Sequence, residues 1–154
     1  MVSLTSTVTT SGIGTSSSYA FYNTGSDLRS SSGSYNVNSG SSYAYIKFTT
    51  PNEKTTLSVQ AYVSSEASCD FGGVYVGTKE YRPSKSNISS KTTDGYGSWL
   101  MSSSGNNTSY TTYSKTLEPN TTYYINFSYA KDGSVHTNSD RIFIKNITFQ
   151  TFGG

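Results

Sequence analysis

Between Leu57 and Gly77 the chain reads LSVQAYVSSEASCDFGGVYVG, and this stretch limits the possible folds more than any other. Leu57, Val59, Ala61 and Val63 alternate with Ser58, Gln60 and Tyr62; the pattern breaks over Ser64-Ser65-Glu66-Ala67-Ser68 and resumes with Val74 and Val76 around Tyr75. A period of two with one apolar parity marks a half-buried strand, so the stretch reads as two antiparallel strands and their connection. A second unit of this kind lies near the C-terminus. Tyr123, Ile125, Phe127 and Tyr129 share one parity, KDGSVHTNSD follows, and Ile142 and Ile144 open another strand. Two such units predict a β-sandwich.

The aliphatic supply for such a core is thin. Leu, Ile, Val and Phe number 27 among 154 residues, a level at which disorder becomes an alternative. Disorder by composition also needs strong self-repulsion, and here the net charge is +2 with 13% charged residues. Fourteen Tyr make up the missing volume, because each ring buries a large area while keeping its hydroxyl near water. Ser and Thr number 53, so the surface is polar through hydroxyls and amides, which suits an extracellular or virion setting. The 11 Lys and Arg are too scattered for a nucleic-acid groove. The length predicts a single domain over 1–154. Cys69, the one cysteine, leaves no intrachain disulfide and reads as a small core residue, with a reactive thiol as the alternative. The opening MVSLTSTVTT has neither a basic n-region nor a long apolar run, and so reads as lacking a signal peptide or membrane anchor.

In chain order, Leu4, Ser6 and Val8 alternate with polar neighbours, and residues 1–18 read as an N-terminal arm or edge strand. SGIGTSSS, NTGSD and RSSSGS look like turns, the first before and the other two between the strand-like Tyr19-Ala20-Phe21-Tyr22 and Tyr35-Asn36-Val37, with a flexible linker as the alternative. Ser42 to Thr50 places Ala44, Ile46 and Phe48 on one face and Tyr43, Tyr45 and Lys47 on the other. Thr78 to Tyr96 shows little periodicity; connections that long are usually functional or carry a small helix, and Pro83 to Ile88 suits one turn with Pro83 in it. Strands over Ser98 to Met101 and Tyr110 to Leu117 flank SSSGNNTS, and Glu118-Pro119-Asn120-Thr121 is a turn. In the last strand Ile142 and Ile144 share one parity but Ile147 and Phe149 the other, which predicts a bulge near Lys145-Asn146. Eight or so short strands predict an all-β, antiparallel two-sheet jelly roll with one helical turn in the 79–96 loop.

Two segments, SSEASCDFGGVYVG and FSYAKDGSVHTNSDRIFIKNITF, resemble jelly-roll domains related to MAM and concanavalin-like sandwiches. The likeness spans roughly residues 43 to 149 and lacks the disulfide cysteines of true MAM domains, which leans toward a microbial or phage origin. Such domains occur in bacteriophage tail, fibre and capsid-decoration proteins, in bacterial adhesins and as carbohydrate-binding appendages. The resemblance implies a binding or structural role without catalysis. If the two segments lie side by side, as the resemblance also implies, Glu66, Asp70, Asp132 and Asp140 approach one another and suit calcium; the alternative is that each caps a turn or pairs with Lys131, Arg141 or backbone amides.

Other chemistries find less support. No spacing singles out two opposed carboxylates for glycoside hydrolysis, and the only imidazole, His136, sits in a Gly-Ser loop with no nucleophile elbow around any serine. One His and one Cys do not complete a zinc sphere. Tyr81, Tyr96 and Trp99 flank the long loop, where an aromatic platform would bind a glycan; the alternative is that Trp99 fills the core beneath that loop. The expectation is a non-enzymatic structural or binding protein of the virion surface. It would dock on other virion or surface proteins through the N-terminal arm or an edge strand, assemble as a homo-oligomer and hold host glycans, without nucleic acid or membrane as partner. A carbohydrate-binding module of a secreted bacterial protein or adhesin is the alternative.

Overall fold

The structure, a computed structural model, describes residues 2–3, 9–13, 21–30, 41–131 and 141–151. In chain order the elements are β1 (Val2–Ser3), β2 (Thr9–Ile13), β3 (Tyr22–Asn23), β4 (Leu28–Arg29), β5 (Ser41–Thr49), β6 (Thr55–Ser64), β7 (Phe71–Gly77), α1 (Lys85–Ser90), β8 (Gly97–Ser103), β9 (Thr111–Leu117), β10 (Thr122–Ala130) and β11 (Arg141–Thr151). Their pairing is nested. Folded in half at the 78–96 connection, the chain lays β7 beside β8, β6 beside β9, β5 beside β10 and β4 beside β11, all antiparallel. Rolled up, that long hairpin gives two sheets, one ordered β3-β4-β11-β6-β9 and the other β2-β5-β10-β7-β8. This is the expected jelly roll, and the long connection is its tip.

Alternation decides what the sheets enclose. Leu57, Val59, Ala61 and Val63 of β6 and Ile142, Ile144 and Phe149 of β11, from one sheet, face Val74 and Val76 of β7 and Ile125, Phe127 and Tyr129 of β10 from the other, all at most 1% exposed. Burying each of these larger side chains contributes on the order of 2 kcal/mol. Phe48 stacks on Phe149 with ring centroids 3.8 Å apart. Tyrosine fills the sandwich less than its number implies: Tyr129 is fully inside and Tyr113 and Tyr123 pack at its margin, but Tyr43 and Tyr75 are buried outside it. Cys69, read as a core residue, is instead half-buried in the turn after β6.

Two bulges correct the parity. The register of β11 on β6 shifts between Lys145 and Thr148, as the sequence implied. Asn146 takes φ 51°, a left-handed conformation that Asn tolerates better than most residues, and its Nδ2 donates to Gln60 Oε1 at 2.6 Å. The second, in β8, sets Trp99 opposite Tyr75 and Met101 opposite Val74, with Leu100 as the extra residue. Trp99 therefore joins Tyr75 on the outer face, while Met101 enters the core.

The helix begins later than expected. Ser84, not Pro83, opens it as N-cap: its hydroxyl accepts from the Asn87 amide while Asn87 Oδ1 accepts from the Ser84 N–H. That is a reciprocal cap with Asn standing where Glu or Gln is usual. The expected arm runs along this chain's own sheets, with β1 on β11 and β2 on β5. Of the expected turn SGIGTSSS, Ser11-Gly12-Ile13 is strand instead, as the end of β2. NTGSD forms a turn between β3 and β4, where Thr24 Oγ1 accepts from the amides of Ser26 and Asp27. Tyr35-Asn36-Val37 and His136 lie outside the described residues. Among the described residues no helix is long and apolar enough to cross a membrane.

Candidate binding site

Two of the three residues expected to form an aromatic platform, Tyr81 and Trp99, meet at the tip of the roll. The parity of β7 sends Tyr75 outward, and the 78–96 connection folds back over it, leaving Tyr75 0% exposed. Its ring lies 4.5 Å from that of Tyr81 and 5.1 Å from that of Trp99, with Tyr81 and Trp99 6.1 Å apart. Gly73 makes this possible, since a Cβ there would stand 2.5 Å from Cζ3 of Trp99. The polar ends of these rings hold the loop's own backbone. Tyr81 Oη and Trp99 Nε1 both donate to the Thr92 carbonyl, at 2.7 and 3.0 Å. Tyr75 Oη donates to Asp94 Oδ1 at 2.7 Å, and the Tyr96 amide donates to the same oxygen at 2.8 Å.

Neighbouring groups complete the clasp. Tyr43 Oη donates to the Pro83 carbonyl and Ser102 Oγ to that of Ile88, each at 2.7 Å. Asn126, on the outer parity of β10, accepts from the Tyr81 amide and donates to the carbonyls of Tyr75 and Lys79. Burial, reinforced by the hydrogen bond to Asp94, pushes the Tyr75 phenol up to about 12, and burial also raises Tyr43 and Tyr81. Tyr81 and Trp99 thus come together around a residue not foreseen as their partner, Tyr75. Tyr96 is set differently: it is 51% exposed, with Lys79 Nζ 3.8 Å from its ring centroid.

The carboxylates expected to gather around calcium are placed in part. Glu66 opens the turn after β6, where its carbonyl accepts from the amides of Cys69 and Asp70. Asp70 is fully buried at the start of β7. Asp132 and Asp140 lie outside the described residues. Among the described residues no three His, Cys, Asp or Glu side chains converge. Other acidic groups have structural partners: Asp27 binds Arg29 at 2.7 Å and Glu80 binds Arg82 at 3.0 Å.

One feature went unforeseen. Where the edges of β8 and β9 part, the connection between them borders a cleft of about 300 Å³. Ala61, Val63, Met101 and Tyr113 contribute from the strands, and Asn106, Asn107, Thr108, Ser109 and Thr111 from the connection and the start of β9. The connection is welded to the end of β6. Asn107 donates to the Val63 carbonyl through both its amide and its Nδ2, the Ser65 amide donates to the Gly105 carbonyl, and Ser64 Oγ donates to Asn106 Oδ1. In the sequence this segment, SSSGNNTS, reads only as a separator; its run of amides and hydroxyls was the available signal.

No family model matches the chain, and no curated protein matches it. Nine chains of solved structure do. One is the enzymatically active domain of bacteriophage CBA120 tailspike protein 4, at TM-score 0.50 and 14% identity over 94% of this chain and 19% of that one. Another is the K1 cleaved adhesin domain of the Lys-gingipain of Porphyromonas gingivalis W83, at TM-score 0.50 and 11% identity over 94% of this chain and 98% of that one. This chain thus spans about a fifth of the tailspike chain it matches. At such identities the likeness is one of fold: this chain is a β-sandwich similar in structure to a phage tailspike domain and a bacterial adhesin domain.

Proposed function

We propose that this chain is a non-catalytic binding domain of a surface assembly, in the first reading a bacteriophage virion component of the fibre, tail or capsid decoration, and that its ligand is carbohydrate. The observation that carries the reading is the cleft between β8 and β9, lined by amides, hydroxyls, tyrosine and aliphatic groups, with no acidic, basic or imidazole side chain among the described residues that line it. Proton transfer at neutral pH needs a group that titrates near neutrality, and bond cleavage needs opposed acids or a nucleophile with its base. A surface so lined recognises hydroxyls and leaves them unchanged. The fold it shares with a tailspike domain is consistent with the virion setting, and docking of an edge strand on partner subunits remains part of the proposal.

The adhesin or secreted carbohydrate-binding module is the second reading, favoured by the match to nearly the whole of the gingipain adhesin domain. A glycan array probed with the full chain tests the common core of both readings. Binding to at least one immobilised glycan, with turnover of none, is the expected result; silence across the array, or release of sugar from any spot, sinks it. Light scattering then separates the settings, a closed oligomer fitting the virion component and a monomer the secreted module.

A further inference from the structure

The cleft between β8 and β9 also constrains the kind of sugar. We infer that it holds a single uncharged monosaccharide unit, terminal on a glycan, with amide and hydroxyl groups of residues 106–111 pairing with the sugar hydroxyls. The inference rests on the carbohydrate-binding reading above and deepens it.

The cleft presents hydrogen-bonding groups that the fold itself does not use and leaves to solvent. Asn106 uses its Oδ1 to accept from Ser64, and Asn107 uses its Nδ2 to donate to Val63; among the described residues the Nδ2 of Asn106 and the Oδ1 of Asn107 have no hydrogen-bond partner. The hydroxyls of Thr108, Ser109 and Thr111 are likewise uncommitted among the described residues, and all three residues are exposed. A neighbouring donor and acceptor in the same cleft match a sugar hydroxyl, which both gives and takes a hydrogen bond. The pairing groups are also preorganised, because the connection is fastened to β6 by its backbone and needs little further ordering.

Other ligand classes fit worse. A carboxylate, sulfate or phosphate entering the cleft would lose water without gaining a cation, since among the described residues neither Lys nor Arg lines it. A purely apolar ligand would leave the amides unpaired. The remaining chemistry is a neutral ring carrying several hydroxyls; Ala61, Val63 and Met101 floor the cleft from within the core, and half-buried Tyr113 is the ring at its margin. At about 300 Å³ the cleft lies at the small end of ligand pockets, roughly 300–1,000 Å³, which limits the occupant to one unit.

Nitrogen-15 NMR of the full chain tests this, with methyl glucoside, methyl galactoside and N-acetylglucosamine as neutral probes and glucuronate and glucose 6-phosphate as charged ones. At least one neutral probe is expected to move the amide signals of residues 61–63 and 106–111 saturably, with the charged probes weaker. Asn106→Asp removes a donor while keeping the acceptor that Ser64 uses, and Thr111→Val removes one hydroxyl at constant shape; each is expected to raise Kd roughly fivefold, the scale of one lost hydrogen bond, with the melting temperature of Thr111→Val unchanged. If the chain binds glycans on the array but the shifts fall elsewhere, or the charged probes bind more tightly, the cleft assignment is wrong and the proposed function stands. If no carbohydrate binds at all, both fall together.

Discussion

The outer faces of the two sheets both carry half-buried or buried aromatic rings, and they hold them by different means. On the β2-β5-β10-β7-β8 sheet, Tyr43, Tyr75, Tyr81 and Trp99 lie under or within the 78–96 connection and direct their polar ends into it. On the β3-β4-β11-β6-β9 sheet, Phe143 and Tyr62 are directly cross-strand and stack at 4.6 Å, and Tyr110 meets Tyr62 edge-on at 4.7 Å. Cations close that row at both ends, Arg29 over Phe143 and Lys145 over Tyr110. The first face is a second small core that satisfies loop backbone. The second is a ladder of side chains serving one another, each contact contributing on the order of 1 kcal/mol. In a chain with few aliphatic residues, tyrosine does both jobs because it is apolar along its length and polar at its end. Of the rings expected as a platform, Tyr81 and Trp99 are half-buried with their polar ends bound to the loop, whereas Tyr96 is exposed beside Lys79.

If the two faces differ as described, Tyr75→Ala is expected to cost about 3–5 kcal/mol, since it empties a fully enclosed site. Tyr62→Ala, at a half-buried position of the ladder, is expected to cost about 1–2 kcal/mol. Urea unfolding of both variants measures the gap, and equal losses would show that the loop is ornament and not core.

The pH dependence sharpens the same contrast. Burial, then the nearby charge of Asp27, pushes the Tyr110 phenol up to about 12, as burial and Asp94 do for Tyr75. Both folded values lie above the ordinary 10.0, so the unfolded chain loses these protons first. The stability they contribute is complete below about pH 10 and is lost as pH rises toward 12. Tyr75→Phe is expected to flatten that decline and to speed hydrogen exchange at the Tyr96 amide, whereas Tyr110→Phe should flatten it without touching Tyr96. Identical exchange profiles for the two variants would erase the distinction between the faces.

The smallest effect belongs to Arg29→Ala, expected to cost under about 1 kcal/mol because its pairing with Asp27 and Phe143 is only half-buried. The Arg29 guanidinium holds the Asp27 carboxyl below its usual 3.8, so this contribution is present above that value and disappears as pH falls through the depressed one. Wild type and variant should therefore converge in acid melts; a persistent difference would mean that Arg29 acts through packing on Phe143 alone.

Much of the sandwich could be read from alternation, because a period of two leaves only one parity for the core. The strands β5, β6, β7, β10 and β11 and the bulge at Asn146 all follow from it. The bulge in β8 did not, since Trp99-Leu100-Met101 is apolar throughout and carries no parity to violate. The start of the helix is hard to read because Pro83 is the more conspicuous residue, whereas the cap belongs to Ser84 and Asn87. Tyr81, Tyr96 and Trp99 stand out in the sequence beside the long loop. The commitment of Tyr81 and Trp99 to the Thr92 carbonyl was not legible, because it depends on where a connection without periodicity comes to rest.

By itself, then, the order of residues settled which side chains face inward and that the chain forms two antiparallel layers, since both follow from local geometry repeated every second residue. Only the tertiary structure decided which strand side chains the connections seal and which they leave open to solvent. Tyr75 and Thr111 both sit on strands, yet one is covered by a segment that follows it and the other borders a cleft completed by the segment before it. Contacts of that kind arise from how the roll closes, and no pattern within a strand encodes them.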